Sequence, residues 1–183
     1  MSSIWPIELV VDAHGGDEVR AYPRRNTPDG TAHVAVRAGP VLVHCLDARA
    51  LQDSAAAWAR AVVLSEDALP STPHPVADPL REAAGYGSPA GIVMAEGPQR
   101  WEVHAPHPDH PFTTVSSPWL TVRVHDQKAL DAHVRAWAFG TDLAQLVYRS
   151  RPVPFNRLLE QARDRKAQDW YEADQRRGRG RSR

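Results

Sequence analysis

Cysteine, lysine and long apolar runs are what this chain of 183 residues has least of. Cys45 is the only cysteine, which excludes an internal disulfide framework and a cysteine-based metal cluster and favours a reducing compartment such as the cytoplasm. No apolar run approaches the about 18 residues that a membrane-spanning helix needs, and the first residues lack the basic start of a secretory signal. We therefore expect a cytoplasmic chain that does not bind membranes.

Lysine occurs at two positions against twenty arginines, a bias typical of coding sequences in GC-rich bacterial genomes. The formal net charge is zero, but residues 1–175 carry 17 basic and 22 acidic side chains. A glycine-containing block of like charge buries too little apolar surface to fold alone and attracts anions. The last eight residues, RRGRGRSR, are therefore predicted to be a disordered basic tail containing Arg176, Arg177, Arg179, Arg181 and Arg183.

The segment 41–64 recurs, shifted by 79 residues, as the segment 120–143. This internal repeat indicates a duplicated unit. The residues shared by the two segments are Val43/Val122, Asp47/Asp126, Ala50/Ala129, Leu51/Leu130, Ala57/Ala136, Trp58/Trp137, Ala59/Ala138 and Leu64/Leu143.

Both halves of the chain show the same order of elements. Period-two alternation predicts strands over 7–11, 18–22, 32–37 and 41–46, and again over 91–96, 100–104, 112–115 and 120–125. The EGPQ turn predicts a hairpin between the first two strands of the second half. Asp47 and Asp126 are predicted N-caps of helices that pack back on these strands. The apolar stripes of these helices are Leu51, Ala55, Trp58 and Val62, and Leu130, Val134 and Trp137.

The fold class expected from this order is α+β: two tandem ββββα repeats packed as a pseudo-twofold unit, a C-terminal helix and the disordered basic tail. The repeats span 1–68 and 90–150, joined by a proline-rich linker over 69–89. Gly140 is expected to bend the chain. Pro154 opens the last helix, 151–175, and the tail occupies 176–183. The apolar stripe of the last helix contains Phe155, Leu158, Leu159 and Ala162.

By this topology, residues 4–143 resemble the Whirly and PUR groups of single-stranded nucleic-acid binders, whose tandem units of four strands and a helix form a pseudo-twofold pair of sheets. The resemblance implies a non-catalytic protein that binds single-stranded DNA or RNA. It is a likeness of topology and assigns no binding residue.

Candidate binding residues follow from the alternation itself. If Val43, Cys45, Val122 and Val124 point inward, cations and aromatic rings lie on the opposite faces of the strands. Such a surface neutralises phosphates while bases stack on its rings. The predicted nucleic-acid-binding residues are Arg20, Tyr22, Arg37, His44, Trp119, Arg123 and His125, together with the five arginines of the tail. Glu8, Glu18 and Glu102 share these faces, so an ordinary solvated sheet face is the alternative interpretation.

The segment HAPHPDHP raises a second possibility, a metal site formed by His104, His107, Asp109 and His110. Its prolines keep the segment extended, and a polar loop is the favoured interpretation. We expect neither a cofactor nor an enzyme: GYGSPAG lacks the GK[ST] of a phosphate-binding loop, and alternation places His44 on the opposite face from Cys45.

A third possibility is a protein-interaction module. The apolar stripe of the last helix could form a homodimer seam or bind a protein partner through residues 155–172 instead of packing on the body. Dependence on this helix, with indifference to the sheet faces, distinguishes such a module from a nucleic-acid binder.

Overall fold

The computed structural model describes residues 8–25, 31–72, 89–150 and 152–180, with the backbone alone at 174, 175 and 177–180. The fold class is α+β, as predicted. Residue 7 of the first predicted strand, most of the predicted linker and the last three residues lie outside the described ranges. The elements in chain order are β1 (Leu9–Ala13), β2 (Val19–Arg25), β3 (Ala32–Ala38), β4 (Val41–Cys45), α1 (Ala48–Ser65), β5 (Gly91–Ala95), β6 (Glu102–His104), β7 (Thr113–Ser116), β8 (Leu120–Val124), α2 (Gln127–Val147) and α3 (Phe155–Gly180).

The strands form two four-stranded sheets, and each sheet takes one strand from the other half of the chain. Sheet 1 has the order β2-β3-β4-β5, and sheet 2 has the order β1-β8-β7-β6. The exchanged strands are the parallel ones, because β5 lies parallel to β4 and β1 lies parallel to β8. This strand order differs from that of two self-contained ββββα repeats. The predicted hairpin between β5 and β6 is wrong because these strands belong to different sheets.

The helices are exchanged in the same way. Among the strands, helix α1, which follows β4 of sheet 1, packs mainly on β6 and β7 of sheet 2, whereas α2, which follows β8 of sheet 2, packs mainly on β2 and β3 of sheet 1. The expectation that each helix packs back on the strands preceding it is therefore wrong, since an apolar stripe specifies an inward face and not the sheet that covers it. The two helices also pack on each other, with the rings of Trp58 and His133 stacked at 4.1 Å.

The core lies between the helices and the inner faces of both sheets. Trp58 and Trp137 are each 1 % exposed, which confirms both as core anchors, and Cys45 is fully buried as predicted. Gly140 does not bend the chain, because α2 continues through it to Val147. A Cβ atom at Gly140 would lie 3.4 Å from Leu51 Cδ1, so glycine allows α2 to approach α1 closely.

Both predicted N-caps are confirmed. The Asp47 carboxylate accepts the amide N–H of Ala50 at 2.8 Å, and the Asp126 carboxylate accepts that of Ala129 at 2.8 Å. Each bond satisfies one of the amides that the first helical turn leaves unpaired.

Helix α3 begins after Pro154, whose carbonyl accepts the amides of Arg157 and Leu158. Its first turns pack on α1 with Phe155 and Leu158 buried, and Lys166 Nζ donates to the carbonyl of Val63 at 2.6 Å. The helix continues to Gly180, into the segment predicted to be a tail, so the predicted boundary after residue 175 does not coincide with its end. None of the helices in the described ranges is both long and apolar enough to cross a membrane.

Candidate functional site

The face of sheet 1 that points away from α2, here called the outer face of sheet 1, carries three arginines. Ala21 and Val34 lie on the inner face beside Gly140 of α2, so the alternate residues of β2 and β3 point outward. Strand register aligns them in rows across the sheet. The rows are Arg20, Arg37, Leu42 and Ile92; Tyr22, Ala35, His44 and Met94; and Arg24 and His33.

A cavity of about 310 Å³ opens on this face. The Arg24 guanidinium lies over the Tyr22 ring, 5.2 Å from its centroid, so a cation and an aromatic surface are fixed side by side. Cationic and apolar groups thus surround one concave space. The residues that line it are Tyr22, Arg24, Arg37, Leu42, His44, Pro89 and Ile92.

Of two neighbouring histidines on this face, His33 and His44, the second lines the cavity. His33 Nε2 and His44 Nδ1 are 2.7 Å apart, so one ring donates a hydrogen bond to the other. The pKa of His44 is lowered by burial and further by the neighbouring His33 and Arg24. His44 is therefore neutral at pH 7, and its ring offers a polar, uncharged edge to whatever occupies the cavity.

The charge of this outer face is positive. Arg24 has no ion pair within the described ranges, and Glu18 is the carboxylate that lies close to the other two arginines, 3.4 Å from Arg20 and 3.9 Å from Arg37. Arg37 also donates to the carbonyl of Gly39 at 3.1 Å, which fixes the direction of its side chain. Among the described residues, the three arginines outnumber the carboxylates beside them on this face, and such an excess of cations attracts anions despite the acidic balance of the chain.

The predicted residues Trp119, Arg123 and His125 lie on sheet 2 and do not join this group. His125 Nε2 and Asp12 Oδ1 are 2.7 Å apart, with the two side chains only 14 % and 17 % exposed. The Arg123 guanidinium lies 5.6 Å from the centre of the Phe112 ring. Trp119 is half-exposed in the turn before β8. On sheet 2, His125 and Arg123 are thus engaged with Asp12 and Phe112.

The predicted metal ligands do not converge. His107 and His110 pair through their backbones in an exposed bridge, and the His107 ring contacts Asp109 at 3.4 Å. His104 is exposed at the end of β6 and lies 3.9 Å from Glu102. Within the part of the chain that the structure describes, no group of three or more histidine, cysteine or acidic residues is arranged to hold a metal ion.

Sequence reasoning missed Arg24 and the apolar residues of β5. Pro23 suggested that β2 ends at Tyr22, but β2 is an edge strand, where proline is tolerated, and it continues to Arg25. The alternation of Arg20, Tyr22 and Arg24 was the available signal. Ile92 and Met94 are 58 % and 49 % exposed, and they reach this face because β5 crosses from the other half of the chain.

The arginine tail is described only in part. Arg176 is helical, exposed and 3.4 Å from Glu172 in the preceding turn. The backbones at 177 and 179 continue helix α3, whereas 181 and 183 lie outside the described residues. Residues 176–180, the described part of this segment, are thus helical.

The arrangement on sheet 1 is suited to binding an anion. The nearby thiol of Cys45 is buried on the inner face, and burial raises its pKa to about 12, so it forms no thiolate nucleophile at neutral pH. The arginines, the tyrosine and the neutral histidine supply charge, a stacking surface and hydrogen bonds. Comparison of the chain with protein-family models, with curated proteins and with solved structures gives no match.

Proposed function

We propose that this protein binds single-stranded nucleic acid, without catalysis, on the outer face of sheet 1. The observation that carries the proposal is that Tyr22, Arg24, Arg37 and His44 line one cavity, with the Arg24 guanidinium held over the Tyr22 ring. A phosphate is neutralised by arginine while a neighbouring base stacks on an aromatic or guanidinium plane.

Single strands fit this surface better than duplexes do. A duplex hides the faces of its bases and presents mainly phosphates, whereas a single strand can insert a base into a concave space. The exposed side chains of Ile92 and Met94 extend the face with apolar surface beside the cations. These side chains would contact the flat faces of unpaired bases and contribute little to the recognition of phosphates.

The terminal arginines add a second, sequence-independent contribution in this proposal. Arginine side chains attract phosphates by releasing counterions, and this attraction weakens as salt rises. Trp119, Arg123 and His125 on sheet 2 are then accessory, because His125 is engaged with Asp12 and Arg123 lies over Phe112.

Fluorescence anisotropy with labelled single-stranded and duplex oligonucleotides tests the proposal. The full chain and a chain ending at Gln175 should both bind the single strand, and the full chain should bind more tightly at low salt. Binding by the full chain alone would show that the tail binds the oligonucleotide, and it would refute a site on sheet 1. No binding by either chain at low salt would refute the proposal altogether.

A protein-interaction function is the second candidate, and one observation favours it. Trp170 is 70 % exposed and Tyr171 is 61 % exposed on α3, beyond the turn where Lys166 contacts the end of α1. Large aromatic side chains are enriched at protein interfaces. Light scattering of the full chain and of Trp170→Ala tests for a homodimer. A dimeric wild type and a monomeric variant would support this function. Monomers in both cases would exclude a homodimer.

We also propose that the two halves are copies of one unit whose first strands have been exchanged. Each sheet joins three consecutive antiparallel strands of one half to a parallel strand of the other, and the order of strands is equivalent in the two sheets. On this view the outer faces of the two sheets are equivalent in origin, and sheet 1 has kept the exposed cations.

A further inference from the structure

We propose a second, independent site: the cleft between α1, β6 and α3 binds a small amphipathic anion, a carboxylate with an apolar body. The cleft has a volume of about 420 Å³. It lies against β6 of sheet 2, whereas the proposed nucleic-acid site lies on sheet 1. The walls of the cleft come from α1, from β6 and the turn before it, and from α3 as far as Asp169.

Small side chains create this space. Ala56 and Ala57 of α1 and Ala162 of α3 line the cleft where larger residues would close the gap between the helices. Leu64 and Val103 add apolar surface beside these alanines. A hydrocarbon or aromatic body placed here leaves water for an apolar surface, which is favourable in proportion to the area buried.

One buried donor in the wall lacks an acceptor. The indole Nε1 of Trp101 is buried and has no hydrogen-bond partner within the described ranges. The indole nitrogens of Trp58 and Trp137 are likewise buried without a hydrogen-bond partner among the described residues, but these side chains lie in the core and do not line the cleft. The Trp101 ring thus forms an aromatic wall of the cleft, and its indole N–H signal reports on changes at this wall.

The charges at the cleft favour an anionic head group. Arg60 and Arg165 line it, are exposed, and have no ion pair within the described part of the chain. The Asp53 carboxylate is already engaged, because it accepts the backbone N–H of Gln99 at 2.9 Å and contacts Arg49 at 3.1 Å. Of the carboxylates, Asp169 remains at the exposed side of the cleft. Guanidinium groups bind carboxylates with two parallel hydrogen bonds.

Nuclear magnetic resonance of the full chain tests this site through the indole N–H itself. Sodium octanoate is the probe, octylammonium is the control for charge, and acetate is the control for the apolar body. We expect octanoate to shift the one indole signal that is missing from the spectrum of Trp101→Phe, in a saturable manner. Acetate and octylammonium should leave that signal in place.

Three further variants decide between a binding site and a packing defect. Ala162→Phe fills the cleft and should abolish the octanoate shift, whereas Ala173→Phe, the same change at an exposed position of α3, should not. The double variant Arg60→Gln, Arg165→Gln should weaken octanoate by about tenfold or more, because two charge-assisted contacts are lost. An unchanged Trp101 signal with octanoate, or equal shifts in wild type and Ala162→Phe, would overturn the proposal.

Discussion

Asp47 and Asp126 make the same two hydrogen bonds at equivalent places in the two halves of the chain. One oxygen of each carboxylate caps its own helix. The other oxygen accepts a backbone amide from the loop after the exchanged strand: Gly97, after β5, donates to Asp47, and Gly15, after β1, donates to Asp126 at 3.0 Å. Each aspartate therefore fastens a helix end to a strand that comes from the other half.

Removal of either aspartate should therefore cost more than an ordinary cap. Asp126→Ala leaves two amides unpaired at a fully buried position, and we expect a loss of about 2 kcal/mol or more in the free energy of unfolding, measured by urea denaturation. Asp126→Asn keeps one acceptor oxygen and should lose less. Equal stability of wild type and Asp126→Ala would show that the second bond contributes nothing.

The hydroxyl of Tyr148 bridges the two central strands of sheet 1. It accepts the amide N–H of Val34 at 2.8 Å and donates to the carbonyl of Cys45. Tyr148→Phe deprives both backbone groups of a partner, so the free energy of unfolding should fall by about 1 to 3 kcal/mol in urea denaturation. Tyr22→Phe removes a hydroxyl that makes no hydrogen bond within the described residues, and this variant serves as the control. Equal losses in the two variants would contradict this account.

His133 should make stability depend on pH. Burial lowers its pKa from 6.5 to about 3, so the folded chain keeps the ring neutral between these pH values while the unfolded chain binds a proton. The unfolded state then binds more protons, and the free energy of unfolding falls as the pH drops below about 6.5, by up to about 1.4 kcal/mol per pH unit.

The variant His133→Phe isolates this effect because it removes the titrating group and retains a ring against Trp58. Urea denaturation from pH 7 to pH 4 should show a shallower loss of stability for the variant than for the wild type. Parallel curves for the two proteins would mean that His133 binds its proton at the same pH in the folded and unfolded chains, which would contradict the lowered pKa.

The order of the elements could be predicted from the sequence, and their pairing could not. Alternation and the two aspartate caps are local signals, and they located the strands and both following helices within a few residues. Pairing of β1 with β8 and of β4 with β5 depends on contacts between distant segments, and alternation is identical whichever neighbour a strand takes. The predicted bend at Gly140 was wrong for a similar reason. This glycine allows a close contact with Leu51, a distant residue that the local sequence does not reveal.

The candidate site was predictable to the same extent. Whether a strand residue points outward can be predicted from the local alternation. The predicted nucleic-acid-binding residues therefore included Arg20, Tyr22, Arg37 and His44. Which sheet an outward residue belongs to is not local, so residues of sheet 2 such as Arg123 were grouped with them. Arg24 was missed because Pro23 resembles a strand end in an isolated sequence.

Tyr22 should contribute to binding by stacking. Tyr22→Leu removes the ring beneath Arg24, and we expect the affinity for a single-stranded oligonucleotide to fall by about 1 to 3 kcal/mol in anisotropy titrations. Tyr22→Phe retains the ring and should bind within a few-fold of wild type. If Tyr22→Leu and Tyr22→Phe bind alike, no base stacks at this position.

The most direct test of the proposed function is the salt dependence of single-strand binding by the triple variant Arg20→Gln, Arg24→Gln, Arg37→Gln. Each phosphate contact on a single strand contributes about −0.7 to the slope of log K against log salt, so the slope should become shallower by about 2 and the affinity should fall at every salt concentration. Arg49→Gln, on α1 and paired with Asp53, is the matched control and should behave as wild type. A triple variant with the affinity and slope of wild type would contradict a nucleic-acid site on sheet 1.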